Sequence, residues 1–362
     1  MTLVAIVGAA LGFMVLIILH ELGHFTAAKA VGMRVERFAL FFPPLMLRKQ
    51  IGETEYALGS IPAGGYVKIS GMNPDEDLPD EVRTRAYYSQ PVWKRVVVIG
   101  AGPLVNFVLA FVLLLVVFAL IGTEGVTDRV GTIERGYPAQ GALEPGDRIV
   151  SVDGNSGEPE QLSKAISDNR CAEQPPRKGC RATEPVQLVA ERAGRRREVE
   201  ISPIYDPAAE RTRLGFAYAP GPREALPLGP AIALTADRFA LITWETIKVP
   251  ARLFDAEKRK EITGIVGTYE ITRRTILDDA ADVVGILGVV SLGLAVINLF
   301  PFLPLDGGHI FWAIVEKVRR RPVPFSVMER AGVVGFMLVM VLFVIGFTND
   351  IGRLTGEGFD VR

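Results

Sequence analysis

His20-Glu21-Leu22-Gly23-His24 closes an apolar run that extends almost unbroken from Leu3 to Leu19. On a helix, H-E-x-x-H places two imidazoles one turn apart on one face, close enough to share a tetrahedral zinc. The glutamate stands beside them, where it can take a proton from water. A soluble metalloprotease carries this pattern on an amphipathic helix with a polar face toward a cleft. Here the helix is hydrophobic almost all round, as a membrane span is. Ionisable groups in a span are costly and mark functional sites. The stretch therefore points to zinc-dependent hydrolysis at membrane depth.

Hydrophobicity is unevenly spread over the 362 residues. Four stretches lack charges over a spanning length or close to it, at residues 3–19, 96–121, 283–304 and 331–347. The first reaches that length only by continuing through the histidine motif to Ala30. Between the second and third lies a polar region, 126–282, with the composition of a globular domain. The expected fold is a polytopic α-helical membrane protein of about four transmembrane helices. Net charge is −1 and the basic clusters mostly flank apolar segments, with no basic stripe interleaved with aromatics, so nucleic acid is not expected as a partner.

Lysine and arginine set the orientation. The first connection holds Arg34, Arg37, Arg48, Lys49, Lys94 and Arg95, and the last holds Lys317, Arg319, Arg320 and Arg321. Both read as cytoplasmic, which puts the termini and the large central domain outside. The N-terminal run lacks the positive segment of a signal peptide. At 1.5 Å per residue, His20 lies roughly 25 Å below the outer end of span one. Asp306 falls late in span three, which also runs inward, so the two positions meet at similar depth.

Asn298-Leu-Phe-Pro301-Phe-Leu-Pro304-Leu305-Asp306-Gly307-Gly308-His309 places two prolines and two glycines inside an apolar segment. Such a stretch should be unwound or kinked, which membrane depth tolerates only where protein or a watery cavity covers it. Asp306 has no lysine or arginine near it in sequence and wants a cation. Zinc bound by His20 and His24 supplies one and leaves a fourth position for water. The chain has three histidines, and all fall in these two motifs. His309 reads as a neighbour of the ligand set rather than a ligand.

Together these motifs resemble the site-2 protease family of intramembrane metalloproteases, and more closely its bacterial regulator-of-sigma-E branch, which carries extracytoplasmic PDZ modules. Gly64-Gly65-Tyr66-Val67-Lys68 and Gly102-Pro103-Leu-Val-Asn106-Phe107 are further matching pieces. The resemblance implies His20, His24 and Asp306 as zinc ligands, Glu21 as catalytic acid/base, and Asn298 as a holder of substrate backbone. It implies a bacterial inner-membrane location. It also implies a pre-cleaved single-pass membrane protein as substrate, such as an anti-sigma factor, or a remnant signal peptide.

Residues 50–71 alternate short apolar groups with glycine and read as a β-hairpin or small sheet. In the family such a segment dips into the membrane and offers an edge to an unwound substrate, a role that would fall to Gly64, Gly65 and Tyr66. An ordinary cytoplasmic hairpin is the alternative. Gly131 to Gly154 reads as strand, loop, turn and strand ending in an Asp153-Gly154 turn, and resembles a bacterial PDZ domain that takes extended peptides. A helix near 158–168 and strands near 185–203 complete it. PDZ modules in this family are thought to keep bulky ectodomains from the site. Cys171 and Cys180 bracket a polar insertion; a disulfide is favoured over two free thiols. Residues 226–254 look amphipathic, with Trp244 as an interfacial anchor, or form a packed soluble helix.

The expected organisation is 1–125, two spans with the histidine motif and a membrane-associated β-segment; 126–204, the inserted α+β PDZ domain; 205–282, an interfacial linker; and 283–362, the last two spans. A membrane zinc transporter or sensor, and a PDZ scaffold with an inactive metal site, are rival readings. A transporter usually carries more polar residues along its path than these spans, where Asn106 is the main exception.

Overall fold

The computed structural model describes residues 2–73, 76–171, 173, 175–177, 179–207, 209, 211–260, 262–278 and 281–356. Helix α1 (Thr2–Ala30) leads into β1 (Val35–Ile51) and β2 (Thr54–Ile69). A single turn, α2 (Asp80–Arg83), precedes α3 (Val92–Val116), which runs on through a π turn at Val117–Ile121. Next come β3 (Thr123–Ile133), β4 (Arg148–Val152), α4 (Pro159–Asp168), β5 (Val186–Arg192), β6 (Arg195–Ile201), β7 (Ile204–Asp206), β8 (Arg211–Arg213) and β9 (Phe216–Glu224). The remainder is helical: α5 (Leu228–Arg252), α6 (Ala256–Arg259), α7 (Ile265–Asp278), α8 (Asp282–Asn298), α9 (Asp306–Arg319) and α10 (Phe325–Thr355). The chain divides into two compact units, Met1–Leu120 with Leu226–Arg362, and Ile121–Ala225.

In the helical unit, three helices among the described residues are long and apolar enough to cross a membrane: Ala10–Ala30, Val92–Ile121 and Ser326–Thr355. The expectation of four is not reached by length. α8 has 17 residues, about 25 Å at 1.5 Å per residue against a hydrocarbon core of about 30 Å. It stops at Asn298 because Pro301 and Pro304 follow. A proline offers no backbone donor and disfavours helix at the residue before it. Asp306, expected late in that span, instead opens α9 after an extended Leu305 (φ −72°, ψ 156°). Gly307 makes this re-entry possible: a Cβ there would sit 2.2 Å from the Leu299 carbonyl oxygen, so the first turn of α9 lies directly on the preceding loop.

α1 ends in a Schellman arrangement, with Met33 N–H donating to Ala28 O (2.9 Å) and Gly32 N–H to Lys29 O (3.1 Å). The β-segment begins at Val35, well before the expected residue 50. Both strands bend, β1 around Phe41–Pro44 and β2 between Gly59 and Gly64, so they lie down as four adjacent segments. Ala39 pairs with Tyr66 on one side and Ala57 on the other, while Arg48 pairs with Ala57 from beyond. The order is therefore 65–69, 35–40, 55–58, 47–51. Residues 65–69 form one edge, whose outer side has no strand partner among the described residues. Phe42, Met46, Leu47 and Ile61 stay exposed near the bends.

α5 lies on α3 rather than alone on a surface. Phe239 packs against Phe107 and Phe111 with ring centroids 5.7 and 5.9 Å apart, and Ala231 is fully buried beside Leu114 and Phe118. Trp244 remains exposed. The Asp350 carboxylate of α10 accepts hydrogen bonds from the backbone N–H of Gly264 (3.1 Å) and Gly267 (2.7 Å), capping the start of α7 from a distant helix.

The second unit is an antiparallel sheet, in order β6-β5-β4-β3-β9, packed against α4. Its core comes from alternating strand positions such as Val130, Ile149, Leu188 and Ile201, together with Leu162 and Ile166 of α4. The unit extends past the expected boundary at 204, because β9 pairs along β3 from Ile133–Phe216 to Thr123–Glu224. Asp153 and Gly154 both have positive φ (51° and 77°), as the expected two-residue turn requires. Arg192 bonds both oxygens of buried Asp147 (2.7 and 2.8 Å) and holds that carboxyl below its usual range. Cys171 and Cys180 are disulfide-bonded; within the loop they bracket, residues 172, 174 and 178 lie outside the described residues.

Candidate metal centre

α1 sets His20 and His24 four residues apart, so both rings emerge on one face, and both are buried. Their Nε2 atoms are 3.2 Å apart. α9 brings Asp306 Oδ2 to 3.2 Å from His20 Nε2 and 3.4 Å from His24 Nε2. Ligands about 2.0–2.1 Å from a tetrahedral zinc lie roughly 3.3–3.4 Å from one another, so these three atoms outline one face of such a site.

The donor set also fits a cation on chemical grounds. His24 Nδ1–H donates to the Val98 carbonyl (2.9 Å), which leaves its Nε2 as a lone pair pointing at Asp306. Asp306 Oδ2 is buried and has no hydrogen-bond donor among the described residues. Acceptors facing acceptors in a buried space repel one another unless a cation lies between them. Among the described residues, His20, His24 and Asp306 are the one such cluster.

Gly102 of α3 makes the room. A Cβ there would lie 2.3 Å from His24 Nε2 and 2.9 Å from His20 Cε1, so α3 can back the two imidazoles only without a side chain at this position. One turn further on, fully buried Asn106 brings Nδ2 to 3.4 Å from His20 Nδ1, and its backbone carbonyl accepts a hydrogen bond from Ser291 Oγ of α8 (3.0 Å).

A cavity of about 330 Å³ opens at the cluster, lined by His20, Glu21, His24, Gly64, Gly65, Val67, Met72, Asn298, Asp306 and His309, among others. Glu21 faces the sheet edge: a side chain at Gly65 would meet its Cγ at 3.2 Å. Of the residues expected at the site, His20, Glu21, His24, Gly64, Gly65, Asn298 and Asp306 converge here. Tyr66 does not. Successive strand residues point to opposite faces, so Gly65 and Val67 look into the cavity while the Tyr66 hydroxyl accepts from Arg37 Nη1 (3.2 Å) and its ring stacks on Phe42. Asn106 had no assigned part in the site; its signal was a lone amide in an apolar span.

The Peptidase family M50 model matches residues 8–342. The chain is 30% identical over 355 residues to a Nostoc sp. protein named "Putative zinc metalloprotease", covering 95% of this chain and 94% of that one. Proteins of the same description from Clostridium perfringens (30% over 352 residues, 96% and 98% covered) and Synechocystis sp. (30% over 357 residues, 96% and 94%) are similarly related. Among solved structures, the PDZ domain of an SdrC-like protein from Listeria monocytogenes aligns with 27% of this chain and 94% of its own length, at 16% identity and a TM-score of 0.21. With a match across most of its length and a geometry that suits zinc, the chain belongs to Peptidase family M50, the site-2 protease family of zinc metalloproteases.

Proposed function

We propose that this protein hydrolyses peptide bonds within or near the transmembrane segments of single-pass membrane proteins. The observation that carries the reading is the convergence of His20, His24 and Asp306 beside Glu21, in a cavity flanked by apolar helices and by a strand edge with no strand partner among the described residues. His20, His24 and Asp306 would hold the zinc. When bound, zinc supplies Lewis acidity, lowering the pKa of water and polarising a carbonyl. Glu21 takes the proton of the attacking water and delivers it to the leaving amine.

Peptidases act on extended backbone, and a helical substrate presents no free carbonyl. The edge at 65–69 suits an unwound substrate joining as an added strand, with Gly64 and Gly65 allowing its backbone close to Glu21. Asn298, at the end of α8, offers an amide to that backbone. The substrates are proteins already trimmed outside the membrane, anti-sigma factors or remnant signal peptides. The enzyme sits in the bacterial inner membrane with the 17-residue α8 as a short fourth crossing, so that both termini and the Ile121–Ala225 unit lie outside; that unit is a PDZ domain that takes an extended peptide. The exposed apolar bends of the β-segment rest in the lipid.

Glu21→Gln tests the reading. Zinc content and folding should match the wild type, while cleavage of a transmembrane test substrate falls by at least about 10²-fold. Undiminished cleavage in that variant would falsify the role of Glu21.

A further inference from the structure

We infer that Asn106 turns its amide oxygen toward His20 and acts as a positioning residue, holding that imidazole in the tautomer that binds metal. The inference rests on the ligand set proposed above. His20 Nε2 lies 3.2 Å from both His24 Nε2 and Asp306 Oδ2, so its lone pair must point into that triangle if it is to hold a cation. A neutral imidazole with a free Nε2 carries its hydrogen on Nδ1. That Nδ1–H is buried and needs an acceptor.

Asn106 is the group beside it. The side chain is fully buried, Nδ2 is 3.4 Å from His20 Nδ1, and Oδ1 is buried with no partner among the described residues. This arrangement sets a donor against a donor and orphans an acceptor. The two ends of a primary amide have almost the same shape, so a half-turn about Cβ–Cγ exchanges them without displacing a neighbour. After the exchange, His20 Nδ1–H donates to Asn106 Oδ1, which removes the donor–donor contact, and the Nδ2 group takes the buried place that Oδ1 held.

The backbone supports this role. Ser291 Oγ, also fully buried, donates to the Asn106 carbonyl at 3.0 Å and ties this turn of α3 to α8. α3 then supplies an acceptor to each histidine, Val98 O for His24 and Asn106 Oδ1 for His20. An amide in the middle of an apolar span is costly to keep, and a histidine needing an acceptor accounts for it.

The test is zinc affinity of the purified full chain, measured by competition with a chromophoric chelator. Asn106→Leu, similar in size but without an acceptor, should weaken zinc binding about 10–100-fold. Asn106→Asp keeps an acceptor at the same place and should stay within about threefold of wild type. Proton–nitrogen correlation spectra of histidine-labelled, zinc-free protein should place the His20 proton on Nδ1 in the wild type and in Asn106→Asp, and a proton on Nε2 in both overturns the inference. Wild-type affinity in Asn106→Leu overturns the inference, and so does an Asn106→Asp variant that binds as weakly as Asn106→Leu. If Asn106→Leu fails to fold, Asn106→Asp and the spectra decide alone. His20→Ala with unchanged affinity removes the ligand set beneath the inference. A zinc-loaded wild type that cleaves nothing removes only the proteolytic reading.

Discussion

Arg95 of α3 and Glu316 of α9 meet in a partly buried ion pair, with Nη2 2.6 Å from Oε2 and side chains 11% and 17% exposed. The Arg95 guanidinium also lies over the Tyr87 ring, 5.8 Å from its centroid. Glu316 stands ten residues beyond Asp306 on the same helix, about 15 Å along its axis. α9 is thus held at two points, by the close backbone approach at Gly307 and by this pair. Both fix where the Asp306 carboxylate arrives.

Removing one partner should therefore loosen the metal site from a distance. Arg95→Met leaves the partly buried Glu316 charge unpaired, a cost of about 1–3 kcal/mol. Zinc per chain and the thermal midpoint in detergent should both fall. The double variant Arg95→Met/Glu316→Met leaves no orphaned charge and should recover most of both. A double variant as impaired as the single one would remove the electrostatic explanation.

Gly102→Ala should cost the protein its zinc without unfolding α3, since alanine favours helix but its Cβ would occupy the space of His24 Nε2. Gly100→Ala is the matched control: the nearest atom to its Cβ is Ile310 Cδ1 at 4.0 Å, and it should bind zinc normally. Metal analysis of the two purified variants settles the matter. Equal zinc contents would contradict the close approach of α3 to the histidines.

A pH effect is expected at Glu53, in the turn between β1 and β2. Hydrogen bonds from Arg85 (2.7 and 2.8 Å), and then from Lys29 (2.8 Å), hold its carboxyl at about 2. A folded-state pKa below the unfolded value of 4.5 stabilises the protein above that pH. The contribution is lost as pH falls from about 4.5 toward 2. Wild type should exceed Glu53→Gln in thermal midpoint at pH 7, with the gap closing over that acidic window. Comparing zinc-free samples keeps protonation of the metal ligands out of the measurement. A gap independent of pH would exclude this source.

Reducing the Cys171–Cys180 bridge, or replacing both residues by serine, should destabilise the Ile121–Ala225 unit. For partners nine residues apart, the loop-closure entropy restored to the unfolded chain corresponds to about 2.5 kcal/mol. Denaturant unfolding of wild type and the double serine variant measures it directly. Indistinguishable midpoints would mean that the loop is equally constrained without the bond.

Much of the metal centre was legible because its chemistry is local in sequence. Helical periodicity alone puts His20, Glu21 and His24 on adjoining positions of one turn, and two prolines three residues apart, Pro301 and Pro304, disfavour a continuous helix through that stretch. The β-segment was legible only in part. Residues 38–47 form a continuous apolar run, and pairing of one segment on both sides leaves no mark in the order of residues. Tyr66 shows the same limit: alternation says that it and Gly65 face opposite ways, but not which of them meets the cavity. β9 escaped for a related reason, since its partner β3 lies some ninety residues earlier.

The order of residues by itself determined which side chains could hold a metal and where the helices must break, because spacing and backbone chemistry act over a few residues. Only the tertiary structure decided that α9 carries Asp306 to within 3.4 Å of both imidazoles. It also decided that α3 comes close enough, through Gly102, for Val98 and Asn106 to reach the two rings. Those distances depend on how helices far apart in the chain pack together, and packing is settled by the shapes of all the surfaces at once.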